Sequence, residues 1–458
     1  MITGSAPSIV LGTCFSGKRY AVLGLARSGL SAVRTLVKSG AHVMAWDSRE
    51  EPRHTIELEF GSKVELTDPV LANLAGFDGV VVSPGVPLNR HPITAIAAAS
   101  GVPLIGDIEL FALARPDLPA HRLVAITGTN GKSTTTALVH HLLQSAALPV
   151  RMGGNIGLPV LGHAPLPAGG VYVLELSSYQ LDLTYSLDAD VTALLNLSPD
   201  HLDRYDGFEG YCRSKERLFA MQRPQSHAVF GTNDAETLSV AAREELRRGS
   251  GFVHRADGSR IAVLQADWPT LQGPHNLQNA AAAVEIVEAL GLSEGQWRPA
   301  MATFKGLPHR MERVAEAGGV LFINDSKATN PASAAPALAA FPPKPGSGGS
   351  GARVHWILGG LPKGEGLDEC LPFLGNVAAA YTIGEAGPKF ANLLEPYVPV
   401  HRSEMLCEAI RQAIGDARPG DVVLLSPACA SFDQFRDYEA RGDTFRQVVG
   451  ALLEGGSC

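Results

Sequence analysis

The segment VAITGTNGKSTTTALVHHLL (124–143) constrains the chain more than any other. An apolar run ending at Ile126 reads as a strand, Gly128 and Gly131 frame a turn, and Lys132-Ser133 opens an apolar helical run. A strand that feeds a helix through a glycine turn belongs to a parallel sheet with helices packed on it, which predicts an α/β fold. The successive N–H groups of Gly128, Thr129, Asn130 and Gly131, with the helix N-terminus, favour an anion. Lys132 adds a point charge, and Ser133 or Thr134 offers a hydroxyl to Mg²⁺. Position 126 is Ile where the general phosphate-loop pattern has glycine, so the loop here is the shorter GTNGKST. Nucleotide phosphate binding is expected. The loop does not by itself separate a motor, a switch, a kinase and a ligase.

At roughly 150 residues per domain, 458 residues make about three domains. Strands are predicted at 21–26, 42–46 and 79–85, then at 123–126, 171–176, 191–197 and 227–231, and finally at 320–325, 354–360, 378–384 and 422–427. Helical patterns lie between them, such as SGLSAVRTLVKSG with its stop at Gly40. Expected are an N-terminal Rossmann-like domain (1–110), a central P-loop ATPase-like domain with a mostly parallel sheet (111–308), and a C-terminal Rossmann-like domain (309–458). FPPKPGSGGSG (341–351) reads as a surface loop. A chain that is 45% apolar has ordinary cores and is not disordered. Its net charge of −8 argues against nucleic acid as a partner. No apolar run approaches the ~20 residues that span a bilayer, so membrane insertion is not expected. The N-terminus is a poor secretion signal and the cysteines form no CxxC pair, which suits a cytoplasmic protein. A monomer is expected.

A carboxylate at the end of another strand should help hold Mg²⁺ beside such a loop. Glu175, in VLELSSYQL, has that context; pairing with a nearby Arg is the alternative. Asp200, His201, Asp203, Lys215 and Glu216 form a polar cluster after the next strand. A cationic Lys215 near a metal site is repulsive unless its charge is removed or screened. GLARSG (24–29) is close to GxGxxG but has Ala26 at the middle glycine, and Asp47 ends the following strand. Those features leave a nicotinamide-dependent enzyme as a rival, one that gives GTNGKST no task. A transport ATPase subunit is a second rival, although no Q-loop is visible.

GTNGKST, GGNIG (153–157), LELSSYQL, DHLDRY with Lys215, GPHNLQN (273–279), LPHRME (307–312), INDSKATN (323–330) and SPACASFDQF (426–435) occur in this order. From about residue 20 to the C-terminus the chain resembles the Mur ligases of peptidoglycan synthesis. GDIELF (106–111) with INDSKATN points to their D-glutamate-adding branch. Folylpolyglutamate synthetase-like enzymes begin near the ATP loop, so the N-terminal nucleotide unit disfavours them. The resemblance implies an ADP-forming amide ligase that joins D-glutamate to UDP-N-acetylmuramoyl-L-alanine through an acyl phosphate. It assigns catalysis to Lys132, Glu175, His201 and Lys215. A first Mg²⁺ would meet Ser133, Thr134 and Glu175, and a second would meet His201 and Lys215, with a CO₂-derived carbamate on Lys215. Asn276, Asn279, Arg310 and Asp325 would hold ATP; as bare residues, the two asparagines also read as helix-start caps. Ser28, Asp47, Ser48, Arg49 and Ser83 would hold the UDP-sugar, and Asn155 the region between substrate and phosphate. Lys327, Thr329, Lys363, Ser431, Phe432 and Tyr438 would receive D-glutamate. Two departures stand out: Pro362 precedes Lys363, and Tyr438 stands where Phe is common. Ser431 as a helix cap and Tyr438 as core filling are the plainer alternatives.

Overall fold

The apolar runs pair into parallel sheets. The computed structural model describes residues 9–344, 351–362 and 366–455. The first sheet comprises Arg19–Leu23 (β1), His42–Trp46 (β2), Val64–Glu65 (β3), Gly79–Val82 (β4) and Leu104–Ile105 (β5). Its order is β3-β2-β1-β4-β5, all parallel. The direction of winding reverses between β1 and β4, which is where doubly wound sheets bind ligands. The helix Arg27–Lys38 follows β1 closely. A Cβ on Gly29 would lie 1.8 Å from the Gly24 carbonyl oxygen, so this glycine is a packing requirement.

The second sheet contains His121–Thr127 (β6), Val150–Gly154 (β7), Gly170–Glu175 (β8), Val191–Leu194 (β9), His227–Gly231 (β10) and Val253–Ala256 (β11). Its order is β11-β10-β9-β6-β8-β7, again parallel throughout. Every residue of β8 and β9 is buried, which is why both read as unbroken apolar runs. The first two sheets belong to one compact unit, Met1–Phe304, and share one apolar cluster that includes Val22, Ala45, Leu123 and Leu174. The helix Asp107–Ala114 joins them. Its buried Glu109 accepts hydrogen bonds from the Tyr185 and Ser186 amides at 2.7 and 3.0 Å and from Ser186 Oγ at 2.7 Å.

The second compact unit, Lys305–Cys458, carries Glu312–Ala317 (β12), Val320–Asn324 (β13), Val354–Gly359 (β14), Val377–Ile383 (β15), Val400–Glu404 (β16) and Val422–Leu425 (β17). Its order is β12-β13-β17-β14-β15-β16. Only β12 runs antiparallel, as an outer strand against β13. The loop expected at 341–351 is closed at its base, where the Lys344 amide donates to the Gly351 carbonyl at 2.8 Å. Residues 345–350 within it, and Lys363, lie outside the described residues. Among the described residues, no helix is long and apolar enough to cross a membrane.

Candidate active site

The loop after β6 is built on its glycines. Gly128 has φ +148° and Gly131 φ +81°, and Gly131 is the N-cap of the helix Lys132–Ser145 with no side-chain cap bond. The first-turn amides are thus left for an anion. A Cβ on Gly131 would lie 2.1 Å from Asn279 Oδ1, so Asn279 abuts the loop directly. Asn196, which follows β9, braces the other side. Its Oδ1 accepts from the Asn130 amide at 2.8 Å and its Nδ2 donates to the Asn130 carbonyl at 3.1 Å. The Thr129 amide donates to the Asn196 carbonyl at 2.9 Å. Ser133 is buried at the start of the helix, with Thr134 half-buried beside it.

Two lysines converge on one carbonyl. Lys132 Nζ donates to the Gly128 and Thr129 carbonyls at 2.8 and 2.7 Å, and Lys215 Nζ donates to Gly128 at 2.9 Å. Lys215 comes from the helix Gly207–Ala220 and is 1% exposed. Burial, reinforced by the nearby charge of Lys132 and only partly opposed by Asp200, pushes its pKa down to about 7. The Nζ lies 4.7 Å from the centre of the Tyr211 ring, whose hydroxyl is 3.2 Å from Thr129 Oγ1. The His201 ring lies 6.5 Å from the Tyr211 ring, with Tyr179 at 5.0 Å from it. His201 is held at φ +53°, with its ring nitrogen 3.6 Å from Asp200. The structure therefore groups His201 and Lys215 around one tyrosine.

Strand pairing aligns Ile126 with Glu175, so Glu175 ends β8 one strand away from the loop. Its Oε1 accepts from Asn155 Nδ2 at 2.8 Å, while Oε2 is buried without a hydrogen-bond partner among the described residues. An orphaned buried carboxylate oxygen fits a hard cation, which bonds one carboxylate, hydroxyls, waters and phosphate oxygens rather than a protein cage. No group of three or more His, Cys, Asp or Glu suited to a metal occurs among the described residues. Gly154 makes the arrangement possible: a Cβ there would meet the Glu175 carbonyl oxygen at 2.2 Å, at φ +90°. Gly154→Ala is expected to lower the unfolding free energy by about 2–4 kcal/mol, read in urea titrations. A wild-type midpoint would contradict the packing described.

At the carboxyl ends of β1, β2 and β4 stand Ser28, Asp47, Ser48, Arg49 and Ser83. Asp47 Oδ2 accepts the Leu25 amide at 2.7 Å, and Oδ1 accepts the Arg49 amide at 3.0 Å and Arg49 Nε at 3.2 Å. Burial alone would raise its pKa, but these donors outweigh it and hold the carboxylate below its usual range. Ser83 Oγ donates to the Gly24 carbonyl at 2.7 Å. Ser48 and Arg49 are exposed, and Ser28 is half-buried in the first turn of its helix.

Asn276 and Asn279 are not caps. The helix Pro274–Ala289 is capped by Gly273; Asn276 Nδ2 donates to the Gln272 carbonyl at 3.1 Å, and Asn279 Nδ2 to Asn276 Oδ1 at 3.3 Å. In the second unit, Asp325 accepts the Met311 amide at 3.1 Å and Ser426 Oγ at 2.8 Å. Burial pushes its pKa up to about 7, against the pull of Ser426 and Arg310. Arg310 Nε is buried without a hydrogen-bond partner among the described residues. Ser431 is 1% exposed and Phe432 68% exposed. Ser431 begins a turn, its carbonyl accepting the Phe435 amide at 2.8 Å, and is no helix cap; Asp437 caps the helix Tyr438–Leu453. The Tyr438 ring faces Lys327 Nζ at 5.6 Å and the His309 ring at 6.1 Å. Thr329 is half-buried on the same loop as Lys327. Asn196, Tyr211 and His309 are contributors that the sequence pattern does not single out. His309 lies within LPHRME and Asn196 within a predicted strand, but only contacts reveal their tasks.

The folded Asp325 holds its proton where the unfolded chain, with pKa near 3.9, has lost it. The unfolding free energy of the ligand-free protein therefore falls as pH rises from about 4 to about 7. Asp325→Asn is expected to flatten that part of a pH series of thermal melts; an unaltered slope would refute the assignment.

Three family models match in order: the Mur ligase MurD-like N-terminal domain over residues 18–106, the Mur ligase middle domain over 126–287, and the Mur ligase glutamate ligase domain over 309–429. The chain belongs to the Mur ligase family. Among its relatives, the UDP-N-acetylmuramoylalanine–D-glutamate ligase of Novosphingobium aromaticivorans is 65% identical over 97% of both chains. The protein of the same name from Sphingopyxis alaskensis is 56% identical over 97% of this chain and all of its own, and that from Zymomonas mobilis is 51% identical over 96% and 98%. In fold, this Mur ligase is similar to a UDP-N-acetylmuramate-alanine ligase from Thermotoga maritima (TM-score 0.57, 16% identity, 95% and 99% covered). It is also similar to a UDP-N-acetylmuramoylalanyl-D-glutamyl-2,6-diaminopimelate–D-alanyl-D-alanyl ligase from Acinetobacter baumannii (TM-score 0.54, 17% identity, 98% and 93% covered).

Proposed function

We propose that this Mur ligase is a UDP-N-acetylmuramoyl-L-alanine–D-glutamate ligase that forms ADP and phosphate in peptidoglycan precursor synthesis in the cytoplasm. The observation that carries this reading is 65% identity to a relative of that name across 97% of both chains. Three regions would divide the work: 1–110 for the UDP-sugar, 111–308 for ATP, and 309–458 for the amino acid.

A carboxylate is a poor electrophile because it is anionic and has no good leaving group. Its oxygen attacks the γ-phosphorus of ATP, the bond to ADP breaks, and an acyl phosphate forms. The uncharged amine of D-glutamate then attacks the acyl carbon. Phosphate departs, the amine loses a proton, and the amide remains. Two anions meet in the first step, so catalysis is mostly charge stabilisation and positioning. Gly128, Thr129, Asn130 and Gly131 would form the loop around the phosphates. Contrary to the expectation from sequence, the Thr129 and Asn130 amides are taken by Asn196, so the amides of Gly131 and the uncapped first helical turn would face the anion. Lys132 would exchange its bonds to the loop carbonyls for the transferring phosphoryl oxygens. Asn276, Asn279, Arg310 and Asp325 would hold the nucleotide; the unpaired Arg310 Nε and the contact of Asn279 with the loop support those roles. Ser133, Thr134 and Glu175 would hold one Mg²⁺, and His201 with carbamylated Lys215 a second. Bound Mg²⁺ would screen the phosphate oxygens and draw charge from the reacting phosphorus. Asn155 orients Glu175 and would reach the substrate carboxylate. Ser28, Asp47, Ser48, Arg49 and Ser83 would bind the UDP-sugar. Lys327, Thr329, Lys363, Ser431, Phe432 and Tyr438 would take D-glutamate.

The Lys215 carbamate is supported by the crowding at Gly128. A neutral lysine amine attacks CO₂ and releases a proton, leaving an anionic carboxylate on nitrogen. That replaces one of two neighbouring cations by an oxygen donor of the kind Mg²⁺ prefers. The acyl-phosphate route is tested with ¹⁸O in the substrate carboxylate. One labelled oxygen is expected in the released phosphate; unlabelled phosphate would exclude the route.

A further inference from the structure

Arg441 lies in the helix Tyr438–Leu453, is 1% exposed, and forms no ion pair among the described residues. Its guanidinium meets carbonyls and a hydroxyl instead. Nε donates to Ser326 Oγ at 3.0 Å, Nη1 to the Ala430 and Gly359 carbonyls at 3.2 and 3.5 Å, and Nη2 to the Ser326 and Cys429 carbonyls at 2.9 and 3.0 Å. A guanidinium has five N–H donors in a rigid plane, so these bonds match its full capacity. The acceptors belong to three chain segments at the carboxyl ends of β13, β14 and β17, which are adjacent in the sheet.

The segment after β13 continues from Ser326 into Lys327 and Thr329, and that after β17 from Ala430 into Ser431 and Phe432. The three segments are also locked by close approach. A Cβ on Gly360 would lie 2.3 Å from the Ala430 carbonyl oxygen and 3.1 Å from Arg441 Nη1. Leu361 and Ala430 exchange backbone hydrogen bonds at 2.9 and 3.0 Å. Burial lowers the Arg441 pKa to about 10, which leaves the side chain cationic at neutral pH. The Asp433 carboxylate favours the cation without pairing with it, and a buried cation held only by neutral acceptors is a poor way to stabilise a fold. It suits a site that must fix backbone loops and receive a dianion.

We infer that Arg441 is a positioning residue of the amino-acid pocket. It holds the Lys327–Thr329 and Ser431–Phe432 segments in register and keeps a positive charge behind them, so it governs affinity for the incoming dicarboxylic amino acid. This rests on the reading of the enzyme as a D-glutamate ligase.

Steady-state kinetics of Arg441→Lys, which keeps the charge and loses the fork, test it. KM for D-glutamate is expected to rise about tenfold or more, with KM for the UDP-sugar substrate within about twofold of wild type. Arg441→Ala is expected to regain D-glutamate affinity when guanidinium ion is added below denaturing concentrations. Ser326→Ala, which removes the Nε acceptor together with the Oγ bond to the Tyr438 carbonyl and covers the case in which neither arginine variant folds, is expected to raise the same KM about fivefold. Equal changes in both KM values, a wild-type KM for D-glutamate in Arg441→Lys or Ser326→Ala, or no guanidinium rescue would overturn the assignment. A wild-type enzyme without D-glutamate-dependent phosphate release would instead overturn the functional reading on which it stands.

Discussion

Replacing Lys132 by Ala is expected to lower D-glutamate-dependent phosphate release by on the order of 10³-fold. The reason lies in the geometry of its loop. Lys132 Nζ rests on the Gly128 and Thr129 carbonyls at 2.8 and 2.7 Å, at the opening of a helix whose N-cap leaves the amides uncapped. Nothing else in GTNGKST carries a full charge. Lys132→Arg is expected to recover little of the loss, because a planar guanidinium does not replace a compact ammonium in a turn this tight. The Ser28, Asp47 and Ser83 side chains belong to another sheet, so binding of the UDP-sugar substrate, measured by calorimetry, should stay within about twofold of wild type. A variant that loses both activities together would point to a collapsed fold. One that keeps its phosphate release would remove the loop from the reaction.

Lys215→Ala is expected to lose activity by about 10²–10³-fold, and bicarbonate should not restore it. The wild-type enzyme, stripped of CO₂, is expected to lose activity and recover it when bicarbonate returns. The sign of the pH effect follows from the environment of Lys215. Burial and Lys132 lower its pKa to about 7, so the neutral amine gains population as pH rises through that value. Recovery should thus be faster at pH 8 than at pH 6. Nuclear magnetic resonance with ¹³C-bicarbonate should show a carbamate carbon in the wild type and none in the variant. Full activity of Lys215→Ala without bicarbonate would contradict the modification.

The strands that the sequence makes plain are those inside the sheets. β6, β8 and β9 are flanked on both sides, buried on both faces, and read as apolar runs. The strands without a clear signal are β3, β5, β7, β11, β12 and β16, and each is an outer strand of its sheet. An outer strand pairs on one side and faces water, so Val150–Gly154 and Glu312–Ala317 carry charge or glycine where an inner strand carries Val and Leu. The same logic runs through the site. Gly128, Lys132 and Glu175 stand out in the sequence because phosphate chemistry calls for those residue types next to a strand end. Asn196 and Arg441 are not, because they act through backbone carbonyls and amides far along the chain, and local spacing holds no trace of that. Asn276 and Asn279 look like caps until Gly273 is seen to hold the cap position.

The most direct test is release of phosphate from ATP by the purified enzyme with Mg²⁺ and UDP-N-acetylmuramoyl-L-alanine, comparing D-glutamate with L-alanine, L-serine, L-lysine and diaminopimelate. One ADP per new amide is expected with D-glutamate, and background release with the others. No ADP and no amide with D-glutamate, or equal turnover with another amino acid, would contradict the account.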